Sequence, residues 1–103
     1  QNHPRQDRST AYAYAEFQLD RRLGAILCLS RQNATKVWIN GKELFAAVDA
    51  PPCGRTVEER FPIFLRQGKN TLLVKCAKEA GPFGFALDIL GERGENVPMK
   101  WWR

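Results

Sequence analysis

The eight residues VWINGKEL, at positions 37–44, decide the fold of this 103-residue chain. An asparagine-glycine pair between alternating apolar residues is the strongest short signal for a β-hairpin, because both central residues of a type I′ turn need a positive φ. Asn40-Gly41 is therefore predicted to join two antiparallel strands. Since side chains alternate along a strand, Val37 and Ile39 share one face and Trp38 lies on the other.

Segments with the composition and alternation of β-strands recur roughly every 10 residues on both sides of this hairpin. The segment Leu23–Ser30 is apolar at nearly every position, which predicts a central strand covered on both faces. Around Pro62 the apolar residues keep a period of two, so an edge strand is favoured over a helix. No segment is typical of a helix, and the pattern predicts an all-β antiparallel sandwich or barrel of seven or eight strands.

The inward positions of these strands predict one hydrophobic core. Its expected members are Phe17, Leu27, Val37, Ile39, Phe61, Ile63, Leu72, Val74, Phe85 and Leu87. On the first strand, Tyr12 and Tyr14 are expected on the face opposite Phe17. The polar, aperiodic residues 1–10 are predicted to be a flexible N-terminal tail, and residues 11–103 are predicted to form a single domain.

Charge and composition narrow the functional classes. The chain carries 16 lysines and arginines against 11 aspartates and glutamates, a net charge of +5. These basic residues are spread along the chain. A solvated surface of mixed charge is therefore favoured over a polyanion-binding patch, and nucleic acid is not the expected partner. No run of about 18 apolar residues is present, so no membrane span is expected.

The three cysteines have neither the number nor the spacing of a metal site or a disulfide framework. Cys28 and Cys76 lie in apolar segments, where a bridge or two buried free thiols would fit, and free thiols are favoured. The one histidine, His3, lies in the predicted tail, while Glu58 and Glu59 point to opposite faces of a strand. The chain is therefore predicted to be a non-enzyme with no catalytic residues, no metal and no cofactor.

Three stretches in this order resemble the galactose-binding-domain-like jelly-roll family: KVWINGKEL, FLRQGKNTLLVKCA and GPFGFALDIL. The family pattern is a strand ending in Asn-Gly, a later strand ending in a Gly-x-Asn turn before an apolar strand, and a final Gly-aromatic strand. Here these are Asn40-Gly41, Gly68–Asn70 and Gly81–Phe85, and the similarity runs from about Ala11 to Leu90. The resemblance implies a jelly-roll β-sandwich of the kind found in bacterial glycoside hydrolases and other exported multidomain proteins.

The same resemblance implies a non-catalytic carbohydrate-binding-like accessory domain of a larger protein, secreted or on the cell surface. Its implied partners are a carbohydrate ligand and a neighbouring domain or subunit. Sugar binding needs an aromatic face and planar polar side chains, and the residues expected to supply them are Trp38, Arg31, Asn33, Arg55 and Glu79.

Two alternatives stay open at this point. Trp38 can instead cover a second layer of core or a neighbouring domain, since single exposed aromatics are usually partly packed. The chain can also be a structural, protein–protein interaction β-sandwich with no small ligand.

Overall fold

The computed structural model describes residues 10–47, 49, 51, 55–77 and 85–102. These residues form eight strands and no helix: β1 (Thr10–Leu19), β2 (Leu23–Arg31), β3 (Thr35–Ile39), β4 (Lys42–Ala47), β5 (Val57–Leu65), β6 (Gly68–Ala77), β7 (Phe85–Leu90) and β8 (Lys100–Trp102). They build two antiparallel sheets, with the strand orders β4-β3-β6-β1-β8 and β5-β2-β7. The all-β prediction is confirmed, and two sheets facing one core give the architecture of a β-sandwich. Residues 1–9 of the predicted tail lie outside the described residues.

One core fills the space between the two sheets. Every residue predicted for it either belongs to it or packs against its edge. The core also includes Leu29 on β2, Leu65 on β5 and Ile89 on β7, which occupy further inward positions of the same alternation. The inner face of the five-stranded sheet contributes Leu72 and Val74, both fully buried. The period of two therefore gives every strand in these sheets one inner and one outer face.

The β3–β4 hairpin forms as the sequence predicts. Asn40 and Gly41 have φ angles of 49° and 82°, the positive values that a type I′ turn requires. On β3, Val37 is fully buried while Trp38 is only half-buried, on the opposite face. The register between β3 and β4 shifts after Val37, which marks a β-bulge in this pair.

A pair of asparagines ties this hairpin to the turn between β5 and β6. Asn70 is fully buried, and its Oδ1 accepts hydrogen bonds from Asn40 Nδ2 (2.9 Å) and from the backbone N–H of Arg66 (3.1 Å). Its Nδ2 donates to the carbonyl oxygens of Arg66 (2.9 Å) and Gly68 (3.3 Å). Asn40 Oδ1 in turn accepts from the backbone N–H of Thr71 (2.8 Å). We call this group the asparagine junction; it satisfies polar groups that would otherwise be buried unpaired.

The expectation that the apolar segment of β2 is covered on both faces needs correction. β2 is the central strand of its sheet and Leu27 is fully buried, but Ile26, on the other face, is 36% exposed. The described residues build two layers, so each sheet keeps an outer face. There Ile26 is the register partner of Pro62 and Leu90. Pro62 lies on β5 at the edge of the sheet, which confirms its predicted edge position.

Two of the cysteines are free thiols in the structure. Cys76 is fully buried on the inner face of β6, whereas Cys28 is partly exposed on the outer face of β2. Because Cys28 faces away from the core that holds Cys76, the two do not pair, and only Cys76 is buried as expected. Cys53 lies outside the described residues.

Candidate functional site

A row of large side chains crosses four neighbouring strands on the outer face of the five-stranded sheet. Trp38 of β3 is the register partner of Leu73 of β6. Leu73 is also the partner of Tyr14 on β1, and Tyr14 is the partner of Trp102 on β8. All occupy outward positions, so they lie side by side and form what we call the aromatic row: Trp38, Leu73, Tyr14 and Trp102. With neighbouring strands about 4.8 Å apart, the row is about 14 Å long.

The aromatic row is partly open to solvent along its length. Trp102 is 46% exposed, and Trp38, Leu73 and Tyr14 are half-buried. Tyr12, two residues before Tyr14 on the same face, is 54% exposed. Rings that are supported at their edges by cross-strand neighbours and reachable from above offer a flat apolar surface. Such a surface suits a ligand that has an extended hydrocarbon face.

One side of the row is lined by a bonded group of three polar side chains. The Tyr14 hydroxyl donates to Glu16 Oε2 (2.9 Å), and Lys69 Nζ lies 3.1 Å from the same oxygen. The hydrogen bonds from Lys69 and Tyr14 hold the pKa of Glu16 below its ordinary value. The bond to Glu16 in turn raises the pKa of Tyr14 and the pKa of Lys69. The group presents an ionised carboxylate and an ammonium beside the apolar surface, where they can bind hydroxyl groups.

Lysine side chains surround the aromatic residues. The distances from lysine Nζ to ring centroid are 5.1 Å for Lys36 and Trp38, 4.6 Å for Lys100 and Trp102, and 6.0 Å for Lys75 and Tyr12. These are within the range of a cation–π contact. Every lysine that the structure describes belongs to this sheet: Lys36, Lys42, Lys69, Lys75 and Lys100. The sequence hides this gathering, because β3, β6 and β8, which carry most of the lysines, are far apart along the chain.

A shallow depression of about 290 Å³ adjoins the row at one end of the sheet. Alanines line much of it: Ala34, Ala46, Ala47 and Ala77. Its other lining residues include Lys36 and Lys75, which are register partners on β3 and β6. The depression therefore combines small side chains, which leave space, with two cationic ones.

Arg31 occupies a different part of the molecule from Trp38. It continues the inward positions of β2, and its side chain is 11% exposed, with Cζ 5.5 Å from the centroid of the Phe45 ring. Its Nη1 donates to the carbonyl oxygens of Asn33 (3.2 Å) and Asp49 (3.1 Å). Its Nε lies 3.6 Å from Glu59 Oε2 without a hydrogen bond. Arg31 thus cross-links the chain at the margin of the core.

Of the remaining predicted ligand partners, Asn33 lies beside Arg31. Asn33 is half-buried, and its carbonyl oxygen accepts from Arg31 and from Thr35 Oγ1 (2.8 Å). Arg55 is exposed in the segment that precedes β5. Glu79 lies outside the described residues. The structure therefore brings Arg31 and Asn33 together, while Trp38 lies on the opposite side of the five-stranded sheet.

Several members of the site were missed from the sequence. The alternation of β1 gave the outward direction of Tyr14, but its position between Leu73 and Trp102 depends on strand pairing. The adjacent tryptophans at the end of the chain point to opposite faces of β8. Trp102 lies outward, while Trp101 contacts Phe85 with the ring centroids 6.4 Å apart. The register between distant strands, which no single segment encodes, assembles the row.

The outer face of the three-stranded sheet carries a second feature, an apolar patch. Phe64 is 88% exposed, and the neighbouring row of that face consists of Pro62, Ile26 and Leu90 in register. We call these four residues the apolar patch. One row further, Cys28 lies between Arg60 and Asp88. This face therefore offers bare apolar side chains where the other sheet offers rings beside lysines.

Within the part of the chain that the structure describes, no three histidine, cysteine, aspartate or glutamate side chains group closely enough to hold a metal ion. The same residues contain no helix with the length and hydropathy of a membrane span. No family model matches the chain, and no curated protein or solved structure matches it significantly. Among the described residues, the candidate functional surfaces are the aromatic row and the apolar patch.

Proposed function

We propose that this chain is a non-catalytic carbohydrate-binding accessory domain of a larger exported protein, with a galactose-binding-domain-like jelly-roll fold. Its ligand lies along the aromatic row. The observation that carries the proposal is the register that aligns Trp38, Leu73, Tyr14 and Trp102 across four strands of one sheet. An oligosaccharide is long, bears C–H surfaces on its rings and bears hydroxyls at their edges, and the row has the matching shape and chemistry.

The strand connections support the jelly-roll assignment. The five-stranded sheet holds β1, β3, β4, β6 and β8, and the three-stranded sheet holds β2, β5 and β7. The chain therefore crosses between the sheets at every connection except the β3–β4 hairpin. Repeated crossing between two antiparallel sheets is typical of jelly rolls. It agrees with the resemblance carried by Asn40-Gly41 and by the turn before Asn70.

Binding would divide between the rings and the polar side chains beside them. Trp38 and Trp102 would cover the C–H faces of sugar rings, and Tyr14 would extend that surface between them. Glu16 can accept hydrogen bonds from sugar hydroxyls, while Lys69 can donate to them. Of the residues expected from the sequence, Trp38 stays in the proposed site. Arg31 is already engaged within the fold.

A glycan array with the isolated chain and with Trp38→Ala tests the proposal. Phe64→Ala is the matched control, because Phe64 is an exposed ring on the outer face of the other sheet. We expect binding by the wild type and by Phe64→Ala, and at least about tenfold weaker binding by Trp38→Ala, equivalent to about 1.4 kcal/mol. Thermal unfolding of each variant confirms that it is folded.

Two results of this experiment would contradict the proposal. The first is wild-type protein that binds no glycan at millimolar concentration. The second is equal loss of binding in Trp38→Ala and Phe64→Ala, because the two rings lie on opposite outer faces and only one of them belongs to the row.

A second candidate function, a protein interaction domain, is favoured by the apolar patch. A phenylalanine that is 88% exposed, beside Ile26 and Leu90, is the type of surface that packs against a neighbouring domain or subunit. Protein binding at this face is compatible with sugar binding at the other. An accessory domain would then rest on its partner through the three-stranded sheet.

The charge-bearing variant Phe64→Lys tests the second candidate. If the patch is an interface, this substitution lowers self-association in analytical ultracentrifugation or lowers the protein's binding of a hydrophobic dye. Tyr12→Lys, on the other outer face, is the matched control and should change neither. A wild-type chain that stays monomeric at high concentration and binds no dye would argue against an interface here.

A further inference from the structure

The five-stranded sheet has an excess of positive charge that the three-stranded sheet lacks. The strands of the first sheet hold five lysines and two glutamates, Glu16 and Glu43. Those of the second hold two arginines and three acidic residues: Arg31, Arg60, Glu58, Glu59 and Asp88. By alternation, the outward charges of the first sheet are Lys36, Lys69, Lys75, Lys100, Glu16 and Glu43, and those of the second are Arg60, Glu58 and Asp88. The face that carries the aromatic row is therefore the cationic face of the sandwich.

Both glutamates of this sheet are already paired. Glu43 lies 3.1 Å from Lys36, and Glu16 lies 3.1 Å from Lys69. Lys75 and Lys100 form no ion pair with any residue that the structure describes, although Lys100 lowers the pKa of Glu16 through space. These two ammonium groups lie instead near aromatic rings, on opposite sides of the aromatic row. Two cations therefore remain available to a ligand that lies along the row.

The position of Lys75 is unfavourable in the unliganded protein. Lys36 and Lys75 are directly opposed on β3 and β6, and like charges directly opposite each other destabilise a sheet. Among the described residues, Glu43 forms an ion pair with Lys36 and none with Lys75. The alanine-lined depression lies against both lysines and has room for a small anionic group. A carboxylate or a sulfate in the depression would remove the repulsion between them.

We infer that the ligand of the aromatic row is an acidic glycan, with one of its carboxylate or sulfate groups held in the depression between Lys36 and Lys75. This inference rests on the proposed sugar-binding function and adds the chemical class of the sugar. Lys100 meets a second anionic group further along the same ligand. Glu16 and Glu43 on the same face disfavour nucleic acid, which carries a phosphate on every residue. An acidic glycan spaces its charges among hydroxyl groups, and the carboxylates of Glu16 and Glu43 can bind those hydroxyl groups.

The test is an array that presents acidic glycans beside their uncharged counterparts, such as hyaluronan with its methyl ester and keratan sulfate with its desulfated form. Wild type, Lys75→Gln and Arg60→Gln are compared. Arg60→Gln is the matched control, since it removes an exposed positive charge from the outer face of the other sheet. A titration with oligodeoxythymidylate completes the set.

We expect the wild type and Arg60→Gln to bind acidic glycans at least about tenfold more tightly than the uncharged counterparts at low salt. Lys75→Gln should remove most of that preference, leave binding of uncharged glycans unchanged, and weaken the salt dependence of acidic binding. Binding of uncharged glycans with equal strength would overturn the acidic preference and leave the proposed function standing. Binding of no glycan would overturn both, as would tighter binding of oligodeoxythymidylate than of any glycan.

Discussion

The two outer faces of this sandwich are built by the same alternation of side chains, yet they present different chemistry. On the five-stranded sheet, Trp38 and Trp102 each have a lysine ammonium near the ring. On the three-stranded sheet, Phe64 is 88% exposed beside aliphatic residues. A ring with a charged neighbour stays solvated and open to a polar ligand, whereas a bare ring gains most by burial against another protein. An exposed aromatic side chain is therefore best interpreted together with the side chains that border it.

The largest expected effect on stability comes from placing a carboxylate in the aromatic row or in the apolar patch. Leu73→Asp puts an unpaired charge between Trp38 and Tyr14, and we expect it to lower the free energy of unfolding by about 2–3 kcal/mol. Ile26→Asp, at the more exposed position of the other face, should lower it by about 1 kcal/mol. Urea denaturation measures both. Equal losses would mean that the two outer faces are packed alike, which would contradict the difference described above.

Truncation of one ring on each outer face should have a smaller effect, again with the larger loss of stability on the five-stranded sheet. Trp38 is half-buried and contacts its cross-strand neighbours, so Trp38→Ala is expected to lower the free energy of unfolding by about 1–2 kcal/mol. Phe64→Ala should change it by less than about 0.5 kcal/mol, as for most exposed positions. Chemical denaturation of both variants decides this. A large loss for Phe64→Ala would show that the apolar patch is packed within the chain itself.

The smallest expected effect is a pH dependence confined to the five-stranded sheet. The pKa of Glu16 is lowered by its bonds with Lys69 and Tyr14, so the carboxylate stabilises the fold above its ordinary pKa. That contribution disappears as the pH falls through the lowered pKa of the folded state. The pKa of Lys69 is raised, so the Lys69 contribution is present below its ordinary pKa and disappears as the pH rises through the raised value.

Thermal unfolding of wild type and Glu16→Gln across the acidic range measures this effect. The difference between them should be constant near neutral pH and shrink towards acid. In a Lys69→Gln background the same substitution should have less effect, because the main cause of the shift is gone. A difference that grows as the pH falls would contradict the assigned sign.

Much of the fold follows from local patterns in the sequence. The hairpin at Asn40-Gly41, the inward direction of Val37 and the outward direction of Trp38 each depend on neighbouring residues only. The aromatic row does not follow from local patterns, because it depends on which strands pair and in what register. Sequence alternation gave the direction of each member, and pairing between β1, β6 and β8 decided its neighbours.

Arg31 and Asn70 show a second limit of sequence reasoning. Polar residues beside loops are usually interpreted as surface groups, yet Arg31 is nearly buried and Asn70 is fully buried. Each is tolerated there because backbone carbonyls and N–H groups of neighbouring turns lie within hydrogen-bond distance. Those partners come from turns whose geometry is fixed only when the sheets have formed. Arg31 was expected to face a ligand, and in the structure its guanidinium donates to backbone carbonyls of the same chain.

The asparagine junction also contains a site of spontaneous deamidation, the Asn40-Gly41 pair. Asparagine followed by glycine is the pair in which the next backbone nitrogen most readily attacks the side-chain amide, which converts asparagine into aspartate or isoaspartate. At Asn40 that amide donates to Asn70 Oδ1. An aspartate would bring an acceptor against an acceptor, with no hydrogen left to share. A slow covalent change at one residue of the hairpin turn would therefore loosen its attachment to the β5–β6 turn, so storage at alkaline pH should shorten the lifetime of the folded protein.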